Sequence, residues 1–206
     1  MREHEQQRNG PGFNRRDFLK GSGAAVAATA LVTEEQQAQA QEKSSVTGPG
    51  AVDITLNVNG KQHTLKLEPR TTLLDALRDH LNLTGCKDDF DTTSCSGSDT
   101  VMIDGKAVYA STRLAIEVQG QQITTVESLR NGDEADEVIE GFIRNDAMQC
   151  GFCTPGFVMA TRAFLNKKPN ASLDEIRKGL GGNICRCGTY NGITACALEL
   201  AKKGGA

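Results

Sequence analysis

Between Val52 and Leu67 apolar and polar positions alternate: Ile54, Leu56 and Val58, then, beyond Asn59-Gly60, His63, Leu65 and Leu67. A period of two buries one face of a strand, and Asn-Gly tolerates the positive φ angles of a two-residue turn, so the stretch predicts a β-hairpin. After Pro69 the period lengthens. Leu73, Leu74, Leu77 and Leu81 share one helical face within Thr71 to Leu83, where Thr71 or Thr72 can cap the first turn. Thr100 to Ile103, the Asp104-Gly105 turn, Lys106 to Ala110, and Gln122 to Val126 after Gly120 predict further strands. Two strands, a helix and more strands compose a small α+β domain.

From about Ser128 the spacing is helical throughout: Val138, Ile139, Phe142 and Ile143, then Phe157, Val158, Ala160, Thr161, Phe164 and Leu165. Ser172-Leu173-Asp174-Glu175 forms a capping box that opens a helix to about Leu180, ended by Gly181-Gly182. A last helix follows Asn191 and runs toward Lys202. The second half is therefore helical.

The N-terminus reads as an address. Asn14-Arg15-Arg16-Asp17-Phe18-Leu19-Lys20 precedes a short alanine-rich run, and Ala38-Gln39-Ala40 offers the small residues a signal peptidase needs. The arginine pair with Phe-Leu-Lys resembles a twin-arginine signal, a route that exports proteins already folded, and so implies a periplasmic destination. Glu34-Glu35 leaves the cleavage position open. Gln41 to Gly50 is polar and reads as a flexible lead-in.

Composition narrows the function classes. The chain has 206 residues, 38% of them apolar, enough for one or two small domains with real cores once the address is removed. Lysine and arginine total 23 against 26 acidic residues, with no basic block outside the extreme N-terminus. Nucleic acid is not an expected partner. The apolar run Gly21 to Val32 is far shorter than the roughly 20 residues a helix needs to cross a bilayer, so no membrane span is expected in the mature chain.

The chemistry lies in the cysteines. Gln149-Cys150-Gly151-Phe152-Cys153-Thr154-Pro155-Gly156 gives a C-x2-C, and Gly182-Asn183-Ile184-Cys185-Arg186-Cys187-Gly188-Thr189-Tyr190 gives a C-x-C. Each pair falls before a predicted helix, where free N–H groups and the partial positive charge of the helix end stabilise thiolates. Four soft sulfur donors suit an iron-sulfur cluster or zinc, and two disulfides are also open in an oxidising compartment. Cys196, inside the last helix, reads as a small core residue.

Together the two motifs resemble the helical iron-sulfur domain of the xanthine oxidase family of molybdenum hydroxylases, and the resemblance extends from about Val52 to Leu200. It implies an α+β fold: an N-terminal ferredoxin-like β-grasp domain, 52–127, followed by an all-α 2Fe-2S-binding helical bundle, 128–206, after a signal over 1–40 and a lead-in over 41–51. It implies that Cys150, Cys153, Cys185 and Cys187 ligate one 2Fe-2S cluster, and that Gln149 and Cys150 lie against a pterin. The molybdenum-pterin cofactor and substrate oxidation would belong to a separate large subunit, of aldehyde or isoquinoline oxidoreductase type. This chain would carry electrons onward to a cytochrome or flavin subunit. A structural or assembly subunit, its β-domain a docking surface, is the competing reading.

The match fails in one place. The family's second, ferredoxin-like cluster uses C-x4-C-x2-C and a fourth cysteine after the next hairpin. Here those positions read Phe90, Cys95 and Ser98, with Ser111 as the fourth, and a residue is inserted around Asp99. The expectation is that this second cluster is absent. Cys86 and Cys95 are left to pair, to ligate in a rebuilt site with serine and aspartate oxygens, or to stay as separate thiols. The Asp88-to-Asp91 run reads as a solvated loop.

Overall fold

The computed structural model describes residues 47–89 and 96–204. Phe90, Cys95, the signal and most of the lead-in lie outside these. Strands β1 (Val52–Val58) and β2 (Lys61–Leu67) form the expected hairpin, paired from Val52 with Leu67 to Val58 with Lys61. Asn59 and Gly60 both have positive φ, 53° and 75°, as the two-residue turn requires.

The helix that follows is shorter and wider than its leucine spacing predicts. Helix α1 (Leu73–Asp75) is capped by the Thr72 hydroxyl, which accepts from the Asp75 N–H, and continues as a π-turn through Ala76–His80. Its ladder loosens where Leu81 N–H reaches Ala76 O, and Asn82 turns away with φ 56°. Leu73, Leu74 and Leu77 are buried all the same.

Strands β3 (Thr100–Ile103), β4 (Lys106–Tyr109) and β5 (Gln122–Thr124) complete a five-stranded sheet in the order β2-β1-β5-β3-β4. Among the described residues only the β1–β5 pair is parallel. The strand expected to reach Val126 stops at Thr124, because Val126–Leu129 winds into a 3-10 turn that directs the chain away from the sheet. A small hairpin, β6 (Arg130–Asn131) with β7 (Glu134–Ala135), follows; its polar residues gave no alternation to read.

Four helices occupy the second half: α2 (Glu137–Arg144), α3 (Thr154–Lys167), α4 (Leu173–Gly179) and α5 (Tyr190–Lys203). The capping box at α4 is formed in both directions, Glu175 N–H to Ser172 Oγ at 3.4 Å and Ser172 N–H to Glu175 Oε2 at 3.0 Å. Phe142, Phe157, Ile176 and Ile193, one from each helix, are buried together, each worth roughly 1.5–3 kcal/mol by transfer. Cys196 is fully buried in this core, as expected. Arg162 on α3 donates to Asp136, which caps α2, and to Glu137, tying the two helices together.

The sheet packs its own core of Ile54, Leu56, Leu73, Leu77, Val101 and Ile123. A third, smaller cluster joins the halves: Met102 on β3 meets Met159 and Ala163 on α3. The halves are in close contact at Gly156, where an added Cβ would lie 2.1 Å from the Gly97 carbonyl oxygen. The start of α3, and with it Cys153, is thus seated on the loop that precedes β3.

Candidate metal centre

Cys150 and Cys153 lie on the turn entering α3, with Cys153 in the N-cap position and Pro155 in the first turn, where a missing N–H costs nothing. Cys185 and Cys187 lie on the loop between α4 and α5. Gly151 and Gly188 have φ of 83° and 80° with open space around them, so backbone conformation alone requires glycine there. These sharp turns let each short loop offer both of its cysteines at one helix start.

The two loops meet. Cys153 and Cys185 are both buried and their thiols share a hydrogen bond, while Cys150 and Cys187 are exposed and interact through thiol and backbone. Burial, then the hydrogen bond to Cys185, pushes the Cys153 thiol up to about 12. Burial would raise Cys185 as well, but the Thr189 hydroxyl at 3.1 Å and the Thr189 N–H at 3.5 Å donate to its sulfur and bring it down to about 7. Cys187 is raised: a backbone N–H from Cys150 favours its thiolate, but the Cys150 thiol, burial and the neighbouring cysteine charges outweigh it. Among the described residues no three His, Cys, Asp or Glu side chains close on a single point.

A set of contacts holds the second loop. Ile184 N–H donates to Ser96 O at 2.7 Å. The buried Asn183 amide donates to Gly97 O at 2.8 Å and to Thr100 Oγ1 at 3.1 Å. The Tyr109 hydroxyl donates to Gly182 O. On the helical side the Tyr190 hydroxyl accepts the Cys185 N–H at 2.9 Å, and its ring meets Phe157 edge-on with centroids 6.2 Å apart. Asn183, Thr189 and Tyr190 stood in the motif without a role; their partners could not be read from spacing, since Gly97 lies 86 positions from Asn183.

The exposed thiols sit in an apolar rim. Met148, Phe152, Ile184 and Tyr190 keep 46%, 41%, 51% and 43% of their surface in solvent, and Gln149 is exposed beside them. Large apolar side chains gathered at the surface mark a face that another molecule covers.

The second set of candidate positions has a different chemistry. Ser98, Asp99 and Ser111 are buried, with Asp99 directly before β3. Asp99 Oδ2 accepts the Ser111 N–H at 2.8 Å, and its backbone O accepts from Ala110. Ser96 bonds to Asp89 and, at 2.8 Å, to Ser98. Asp89 is thus half-buried and bonded, whereas Asp88 is exposed as a solvated loop residue should be. Cys86 is a buried thiol pushed up to about 12 by burial, then by Glu127 and Asp99. Among the described residues, oxygen atoms and one buried thiol line this region, a poorer donor set for iron-sulfur chemistry than four cysteines.

The geometry agrees with what the chain resembles. A family model described as a [2Fe-2S] binding domain matches residues 125–198, and one for the twin-arginine translocation signal matches 12–32. The chain is 38% identical to the aldehyde oxidoreductase iron-sulfur-binding subunit PaoA of Escherichia coli K12, over 92% of its own length and 88% of the relative's. It belongs to the iron-sulfur subunits of the xanthine oxidase family of molybdenum hydroxylases. This chain is also 38% identical to the nicotine 6-hydroxylase small subunit of Paenarthrobacter nicotinovorans, over 72% of its own length and 88% of the relative's. Its structure superposes on a chain of quinoline 2-oxidoreductase from Pseudomonas putida 86 with a TM-score of 0.69 and 37% identity, covering 76% of this chain and 99% of the other. It is a redox subunit of an oxidoreductase complex and carries a twin-arginine signal. Among the described residues no helix is long and apolar enough to cross a membrane.

Proposed function

We propose that this chain is the electron-transfer subunit of a periplasmic molybdenum hydroxylase acting on aldehydes or N-heterocycles, and that Cys150, Cys153, Cys185 and Cys187 hold its one 2Fe-2S cluster. The observation that carries the reading is the meeting of the thiols as two pairs, Cys153 with Cys185 and Cys150 with Cys187. Four thiolates on two adjoining loops meet the ligand requirement of a dinuclear cluster, two per iron, and the chain's likeness to iron-sulfur subunits favours that cluster over a single zinc ion. When bound, such a cluster accepts and releases one electron at a time.

The residues divide the remaining work. Thr189 and the α3 and α5 N-termini stabilise negative charge on sulfur. Burial of Cys153 and Cys185 keeps water from one side of the centre, while Cys150, Cys187 and Gln149 face outward where a pterin in the large subunit can approach. The apolar rim of Met148, Phe152 and Ile184 is the seat of that subunit. The region around Asp99, lined with oxygens, is read as having given up the second, ferredoxin-like cluster. Electrons then pass to an external acceptor, a cytochrome or flavin subunit. The domain division at residues 127 and 128 follows the same reading, with a β-grasp half supporting the helical half.

Mixing the intact complex with an aldehyde or N-heterocycle substrate in a stopped-flow spectrometer tests this. Visible absorption of the cluster should bleach within a single turnover. A cluster that stays oxidised while product forms would rule out electron transfer through this chain.

A further inference from the structure

Threonine is favoured before a helix because its hydroxyl can accept a backbone N–H of the first turn. The polar N-caps of α1, α2 and α4 do this: Thr72, Asp136 and Ser172 each accept an N–H from the helix they open. Thr189 holds the N-cap position of α5 and makes no such bond. Its hydroxyl lies instead 3.1 Å from Cys185 Sγ, and its N–H lies 3.5 Å from the same sulfur. The neighbouring hydroxyl, that of Tyr190, is turned to the Cys185 N–H at 2.9 Å. Among the described residues no other cysteine sulfur takes a hydroxyl donor. Helix α5 thus goes without its side-chain cap, and the hydroxyl that would supply it bonds one sulfur.

The direction of that bond follows from the chemistry of the sulfur. A cysteine that ligates a metal has lost its proton, so between Thr189 Oγ1 and Cys185 Sγ only the hydroxyl can donate. Hydrogen bonds to an ionised acceptor are roughly twice as strong as neutral ones, and they strengthen as negative charge builds on the acceptor. One-electron reduction of a cluster adds one negative charge, shared by iron and its sulfurs, and hydrogen bonds to those sulfurs help to set the potential. We propose that Thr189 tunes the reduction potential of the cluster, its hydroxyl favouring the one-electron-reduced form through Cys185. The inference rests on the reading of Cys185 as a cluster ligand and deepens it. Thr189 is then a positioning residue, acting through the sulfur it bonds rather than on iron. A raised potential makes the centre a better acceptor of electrons from the molybdenum side.

The experiment is a redox titration of the native complex, with dithionite as reductant and ferricyanide as oxidant, followed by the electron paramagnetic resonance signal of the reduced cluster. Wild type is compared with T189V, which keeps the branched shape and removes the hydroxyl, and with T189S, which keeps the hydroxyl. Because this hydroxyl does not cap α5, the melting temperature of T189V should stay close to that of wild type. Its reduction equilibrium should fall about 10-fold, a potential lower by roughly 59 mV for a one-electron couple. T189S should return to the wild-type potential. A T189V potential equal to that of wild type overturns the proposal. So does T189S displaced as far as T189V, which would trace the effect to lost packing of the methyl group. Should T189V not retain its cluster, T189A is titrated in its place, and cluster loss in both overturns the proposal, since the hydroxyl would then build the site rather than tune it. Absence of any cluster signal from the wild-type complex overturns both this proposal and the functional reading beneath it.

Discussion

Replacing Cys185 by alanine is expected to remove the cluster while leaving the helical bundle folded. Even partners that only orient metal ligands are worth roughly 10–100-fold in metal affinity, so loss of a ligand should lower cluster occupancy by more than about 100-fold. The side chain is buried against Cys153 and Thr189, and alanine fills much of its place, so circular dichroism should change little. Visible absorption and the electron paramagnetic resonance signal should vanish, and substrate oxidation by the complex with them. Cys196→Ala is the matched control. It removes an equally buried sulfur, 3.8 Å from Val138 O, at a cost of about 1 kcal/mol for a small cavity, and should keep its cluster. A Cys185→Ala protein with a full cluster signal would remove this cysteine from the ligand set.

Among the described glycines, Gly156→Ala should be the most damaging added methyl. The new Cβ would sit 2.1 Å from Gly97 O and 2.9 Å from Ser98 Cα, both backbone atoms that no rotamer change can move aside. Overpacking against backbone costs about 3 kcal/mol, which lowers Tm by roughly 6–12 °C in a domain of this size. Relief requires α3 to lift from the sheet, carrying Cys153 away from Cys185, so cluster retention should fall together with stability. Gly50→Ala provides the comparison, since its new Cβ would meet nothing within 4 Å and the cost should be small. Thermal melts of the two variants check the ranking. Equal Tm values would show that the two halves do not press on each other at this point.

What the sequence disclosed follows from the range of the interaction. The β1–β2 hairpin and the α4 capping box are local, with partners within a few positions, and alternation or a four-residue motif announces them. The cysteine pairs, each beside a helix start, were legible for the same reason. The π-turn after α1 was not: Leu73, Leu74 and Leu77 satisfy a helical period, and only the positive φ at Asn82 and the reach of Leu81 to Ala76 reveal the wider ladder. Nor could spacing show that Asn183, Ile184 and Tyr109 tie the cysteine loop to the residues before and after β3. Those contacts join positions more than 70 apart. The burial of Asp99, read only as the site of an inserted residue, was hidden likewise, because its partner Ser111 arrives only when β3 and β4 pair.

The central claim, one cluster held by four cysteines in a fold built for two, is tested most directly by spin counting. The native complex, fully reduced with dithionite, is measured by electron paramagnetic resonance and normalised to its molybdenum content. The account predicts one 2Fe-2S signal of about one spin per molybdenum, each reduced cluster contributing a single unpaired spin. Two distinct 2Fe-2S signals totalling about two spins would contradict it and restore a second cluster to the region around Asp99 and Ser111.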